Sequence, residues 1–131
     1  MKVFYLIFIS LALSACNSRY EVNDLIGCYS PIGYVNTYDT ICLNSNNTYC
    51  RKVYDKNKNL VLNMSGKWYL ERNSTIQFNS FFLNLDRDIE KYNELIQDTL
   101  GGWSAMIENP KNKLTFCIGY YDGDNCYQKI D

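Results

Sequence analysis

Six cysteines carry the clearest chemistry in this 131-residue sequence: Cys16, Cys28, Cys42, Cys50, Cys117 and Cys126. A thiol can act as nucleophile, metal ligand or disulfide partner, and the residues around it decide which. The chain has no histidine. That removes Ser-His and Cys-His nucleophilic pairs and any histidine ligand for a catalytic zinc. Seven residues separate Cys42 from Cys50 and eight separate Cys117 from Cys126, so neither pair has zinc-ribbon spacing. There is no glycine-rich phosphate loop and no nucleophile elbow.

The carboxylates add little. Asp55-x-Asn57-x-Asn59 resembles the start of a calcium loop, but Leu60 stands where that loop needs glycine and Gly66 where it needs a bidentate glutamate. It reads as a turn, and so does Asp122-Gly123-Asp124-Asn125. Asp86 and Asp88 could do acid–base work, but they suit the positive end of a helix. The expectation is a protein without catalytic residues, metal or cofactor. A net charge of −1 with no basic tract argues against nucleic-acid binding.

Lys2 and the apolar run Val3 to Leu13, broken only by Ser10, stand at the N-terminus. A membrane-spanning helix needs roughly 18 apolar residues, so the run suits a signal peptide instead. Leu13-Ser14-Ala15-Cys16 resembles the lipobox of bacterial lipoproteins, although Ser14 and Ala15 also fit ordinary secretory cleavage. The resemblance implies cleavage before Cys16, acylation of that cysteine, and anchoring by two lipid signals. It divides the chain into a signal peptide (1–15), a lipidated tether (16–24) and one domain (25–131). Asn17, not aspartate, follows the cysteine, which under the enteric sorting rule places the protein at the outer membrane, facing the periplasm.

Loss of Lys2 with the leader takes the net charge to −2. Export means oxidising surroundings and disulfides. Five cysteines remain after Cys16, so at least one is unpaired or bridged to another chain.

Those cysteines must be positioned by strands. Alternating runs separated by Asn, Gly, Asp and Ser clusters predict about eight short antiparallel strands. They are expected at Gly27–Ser30, Thr40–Leu43, Thr48–Tyr54, Leu60–Leu70, Thr75–Leu83, Trp103–Glu108, Leu114–Tyr121 and Cys126–Ile130. Leu60, Leu62, Met64, Trp68 and Leu70 share one face of the longest strand, where Gly66 suggests a bulge. Ile89, Tyr92, Leu95, Ile96 and Leu100 predict an amphipathic helix over 86–100. The expected fold is a mainly β up-and-down barrel or curled sheet with that helix as plug or flank. It is similar to small lipocalin-like barrels of envelope lipoproteins, a likeness of fold that carries no function.

Pairing the second and third strands around Asn46 sets Ile41 against Arg51 and Cys42 against Cys50, which makes Cys42–Cys50 the first expected bridge. With Asp122-Gly123 as a two-residue hairpin loop, Cys117 and Cys126 become diagonal neighbours about 7–8 Å apart. Cys28 is then the better partner for Cys126 or Cys117 across a closing barrel, unless one or two of these remain plain thiols.

Twelve tyrosines, eleven of them beyond Cys16, are the compositional oddity. Tyrosine is a good strand residue, and it is also enriched at interfaces. Tyr29, Tyr34, Tyr38, Tyr54 and Tyr121 lie near turns or on outward faces and are the expected binding surface. The reading is a membrane-anchored, non-enzymatic module that binds a protein partner in the envelope; one version is a protective inhibitor of a periplasmic toxin. The alternative is a carrier of a lipid or other small apolar ligand, which needs a cavity of roughly 300 Å³ or more.

Overall fold

A computed structural model of the chain describes residues 19–33, 37–81, 101–118 and 125–130. Within them eight strands run antiparallel in sequence order and close into a barrel. They are β1 (Gly27–Pro31), β2 (Tyr38–Leu43), β3 (Thr48–Tyr54), β4 (Leu60–Glu71), β5 (Thr75–Asn79), β6 (Gly102–Glu108), β7 (Thr115–Ile118) and β8 (Cys126–Lys129). All eight expected strands are present, and β1 pairs with β8 to complete the ring. A four-residue helix, α1 (Val22–Leu25), precedes β1. Its Leu25 is buried, and its carbonyl accepts a 2.7 Å hydrogen bond from the Tyr29 hydroxyl. The predicted signal peptide, Cys16 and the helix over 86–100 lie outside the described residues.

Alternation explains the core. On β3, Tyr49, Arg51 and Val53 point inward while Lys52 is exposed. Ile41 and Leu43 of β2, Leu62, Met64 and Trp68 of β4, Ile76 and Phe78 of β5, and Phe116 and Ile118 of β7 join them. Aromatic rings fill the middle: Phe78 lies 4.8 Å from Phe81 and 5.6 Å from Phe116, centroid to centroid, and Phe116 stacks on Tyr127 at 5.4 Å. The turn after β2 is held from below, because Trp68 Nε1 donates to the Asn44 carbonyl at 3.2 Å.

Two expectations about β4 need correction. Leu60 is half exposed, because the β3–β4 register shifts between Val53 and Tyr54 and the bulge turns the strand's first residue outward. At Gly66, by contrast, the ladder is regular, with Tyr49 directly opposite. A Cβ there would lie 2.5 Å from the Asn79 carbonyl oxygen and 2.7 Å from the Tyr49 ring. The glycine leaves room for Tyr49, whose hydroxyl donates to the Ser80 carbonyl at 2.6 Å.

The disulfides also differ from expectation. They are Cys28–Cys42 and Cys117–Cys126, and Cys50 is a free thiol. Cys42 does stand opposite Cys50, but it stands opposite Cys28 as well. The phase of the ladder decides between them. The Cys28 carbonyl accepts from Ile130 of the β8 side, so Cys28 and Cys42 form a non-hydrogen-bonded pair. That is the closer kind of pair, and their Cα atoms are 4.0 Å apart. Cys42 then turns its own N–H and C=O toward β3, which makes Cys42–Cys50 the wider kind.

Cys117 and Cys126 are directly opposed, not diagonal, because the β7–β8 register is two residues tighter than a loop at Asp122-Gly123 requires. Cys28 does not meet Cys126 across the closed seam, because Cys126 instead lies level with Ile32, whose N–H it accepts at 2.8 Å.

The Gly66 notch is testable. Gly66→Ala should lower unfolding free energy by about 1–3 kcal/mol in urea titration, the range for overpacking a fitted interior. Leu60→Thr should stay within about 0.5 kcal/mol, as exposed substitutions do.

Candidate functional site

Two groupings of side chains stand apart from ordinary core. The first lies inside the barrel. Arg51 is fully buried and points the same way as Tyr49 and Val53. Ile41 faces it on β2, and Asp39, two residues along the same face, is its diagonal neighbour. Arg51 Nε donates to Asp39 Oδ1 at 3.0 Å and Nη2 donates to Oδ2 at 2.6 Å. The Tyr127 hydroxyl donates to the same Oδ2 at 2.6 Å, and the guanidinium lies 4.8 Å over the Phe81 ring. A two-toothed arginine–carboxylate contact is the geometry that best offsets the cost of burying both charges. Chemically it is a neutral strut joining β2, β3 and β8.

The strut was legible but unread. Placing Ile41 against Arg51 already puts Arg51 on the inner face. Asp39 shares the parity of Ile41 and Leu43.

The second grouping lies outside, at one end of β2, β3 and β4. Tyr38 is opposite Tyr54, and Tyr54 is opposite Leu60, giving an apolar row across three strands. Tyr38 is 58% exposed and Leu60 50%. Tyr38, Tyr54 and Lys58 line an open recess of about 410 Å³. Of the lysines, Lys58 lines it; Lys52, two residues before Tyr54 on the same face of β3, and Lys56, in the turn after it, are also exposed. The carboxylates next to Tyr38 and Tyr54 in sequence are occupied elsewhere: Asp39 in the strut, and Asp55 in holding its turn. Asp55 Oδ1 accepts from the Asn57 and Asn59 N–H groups, each at 2.8 Å, and Oδ2 accepts from Asn59 Nδ2 at 3.0 Å. The calcium-like triplet is thus a turn, and the end of the sheet presents an aromatic floor with Lys58 beside it.

Of the expected binding tyrosines, Tyr38 and Tyr54 meet here. Tyr29 does not. It pairs with Ile41 on the inner face, is fully buried, and packs 4.8 Å from Phe116. Nearness to a turn put it among the surface residues, and strand parity puts it in the core. Tyr34 and Tyr121 lie outside the described residues. Among the described residues no three His, Cys, Asp or Glu side chains converge as a metal site, and no helix is long and apolar enough to cross a membrane.

Burial acts on the interior phenols. It pushes Tyr29 well above the usual tyrosine value, and it pushes Tyr49 up from 10.0 to about 12 despite the opposing pull of the Arg51 cation. A raised folded value means the fold holds these protons more tightly than the unfolded chain does. Their contribution to stability is therefore complete below about pH 10 and is lost as the pH rises through about 12. Ultraviolet titration should show Tyr29 and Tyr49 ionising only as the protein unfolds. Arg51→Met should cost about 3–5 kcal/mol in chemical denaturation by stranding Asp39, whereas pairing it with Asp39→Leu should recover most of the loss.

No family model, no curated protein and no solved structure matches this chain.

Proposed function

We propose that this is a lipid-anchored envelope protein that acts by holding a protein partner against the outer face of its barrel. The observation that carries the reading is the Tyr38–Tyr54–Leu60 row with its recess and Lys58 at its edge. Tyrosine anchors beside a pocket, rimmed by charge, are the usual composition of a binding hot spot. The lysines favour a partner with an acidic contact segment.

The barrel suits the role because its disulfides and interior strut hold the row rigid, so little ordering entropy is lost on association. The tether is shorter than the span 16–24 expected from sequence, because Tyr20 already donates its N–H to the Asn73 carbonyl and α1 begins at Val22, so the partner would be met close to the membrane. The lipobox-like Leu13-Ser14-Ala15-Cys16 supports the anchor, and Asn17 after it supports the outer-membrane location. The absence of histidine supports a non-enzymatic role. A protective inhibitor of a periplasmic toxin is the specific form this reading takes.

The carrier reading draws on the barrel fold itself. Against it stand the aromatic rings and the Arg51–Asp39–Tyr127 strut that occupy the interior.

The test uses the full anchored chain. Photo-crosslinking from position 52, beside the recess, should trap one discrete envelope protein. Tyr38→Ala with Tyr54→Ala should weaken that partner's affinity at least tenfold, about 1.4 kcal/mol, without moving the melting temperature. Unchanged capture by the double variant, or an apolar molecule retained in native mass spectra, would refute the reading. Separately, Cys16→Ser should release the protein from membranes and remove the lipid mass from the intact chain.

A further inference from the structure

Cys28, Cys42 and Cys50 occupy one lateral row across β1, β2 and β3, each directly opposite the next. Tyr29, Ile41 and Tyr49, of the other parity, are buried, so the three sulfurs leave the sheet on its outer face. The first two are bonded and the third is a free, half-buried thiol. This is more than a stray cysteine near a bridge.

Thiol–disulfide exchange is a displacement at sulfur, in which a thiolate attacks one side as the other sulfur departs from the far side. A row perpendicular to the strands, with steps of about 4.8 Å, sets Cys50 on the side of Cys42 opposite Cys28. That is the approach the displacement requires. The Cys42–Cys50 pair is of the wider, hydrogen-bonded kind, with Cα atoms about 5.5 Å apart, inside the span a disulfide accepts.

We propose that the outer-face sulfur row is an exchange switch in which Cys50 displaces Cys28 from Cys42, moving the bridge from β1–β2 to β2–β3. Cys50 gives its proton to solvent and its thiolate attacks Cys42 Sγ. The Cys42–Cys50 bond forms as the Cys28–Cys42 bond breaks, and Cys28 leaves as a thiolate and is protonated. One disulfide and one thiol are present before and after, so no oxidant or reductant is consumed. The charged groups on this face near Cys50 are Lys52 on its own strand and Lys67 on β4; Ser65 lies directly opposite, with Asn63 and Thr40 diagonal.

The exchange changes the fold in one place. With the bridge on β2–β3, β1 keeps its backbone pairs, Gly27–Tyr29 to β2 and Tyr29–Pro31 to β8, and the buried Tyr29, but loses its covalent tie to β2. The strand that follows the tether is thereby loosened without any change in redox state.

The switch is independent of partner binding and is tested without a partner. The full chain is held in mildly alkaline buffer, which favours thiolate attack, then quenched, digested in acid and mapped by mass spectrometry. A Cys42–Cys50 peptide with Cys28 as thiol should accumulate at a rate independent of protein concentration. Added alkylating reagent that caps Cys50 before incubation should prevent its formation, because the free thiol is the attacking group. The peptide should be absent in Cys50→Ala. Cys28–Cys42 as the sole linkage among the three, or a rate that scales with protein concentration, would overturn the proposal.

Cys28→Ser gives a second reading. Refolded in a glutathione couple it should close Cys42–Cys50 and leave no thiol in the barrel. Two free thiols at 42 and 50 beside an intact Cys117–Cys126 bridge would equally overturn it.

Discussion

Closure of β1 onto β8 is the constraint from which the rest follows. A sheet that closes on itself has no edges, and each of its residues faces either the packed interior or the surroundings. A one-residue slip anywhere would exchange the two sets around the ring. That is why the sulfur row is outside, the Arg51–Asp39 strut is inside, and Tyr29 and Tyr38, both candidates for the surface, end on opposite sides. Chemistry in this protein is assigned by parity before it is assigned by proximity.

The strut shows how strongly that assignment acts. Burying a guanidinium and a carboxylate costs several kcal/mol per ion before their attraction is counted. An apolar pair of similar volume could serve the packing as well. What the ion pair adds is direction: its hydrogen bonds are satisfied only when β2, β3 and β8 stand in this register, and Tyr127 completes the carboxylate's shell from the far side of the seam. The pair therefore contributes more to choosing one closed arrangement than to stabilising it.

Most of the fold was legible. Alternation located all eight strands, because in a small barrel the inner face must be apolar and the turns must carry Asn, Asp or Gly. The register around Asn46 was legible too. What escaped depended on quantities that pattern does not encode. Whether Cys42 bonds to Cys28 or to Cys50 turns on which pair is hydrogen-bonded, and sequence carries no mark of that phase. The Cys117–Cys126 bridge was missed because Asp122-Gly123 looked like a two-residue loop, and the true register is centred one residue earlier. Leu60 faces out because of a bulge with no glycine or proline to signal it. Of the site, the Tyr38–Tyr54 pair was visible as tyrosines near turns, but Leu60 and Lys58 joined it only once the strands were aligned.

The placement of the two disulfides has a mechanical side. Each closes a short loop, of 14 and 9 residues in sequence separation, so each contributes only about 2–3 kcal/mol through the unfolded chain. Their positions matter more, since one braces β1 to β2 and the other β7 to β8, flanking the seam. A pull on the chain that frees Tyr20 and α1 from the barrel next reaches β1, and the sulfur bridge passes it to β2 along a covalent load path. The seam's hydrogen bonds are then spared from being unzipped one at a time.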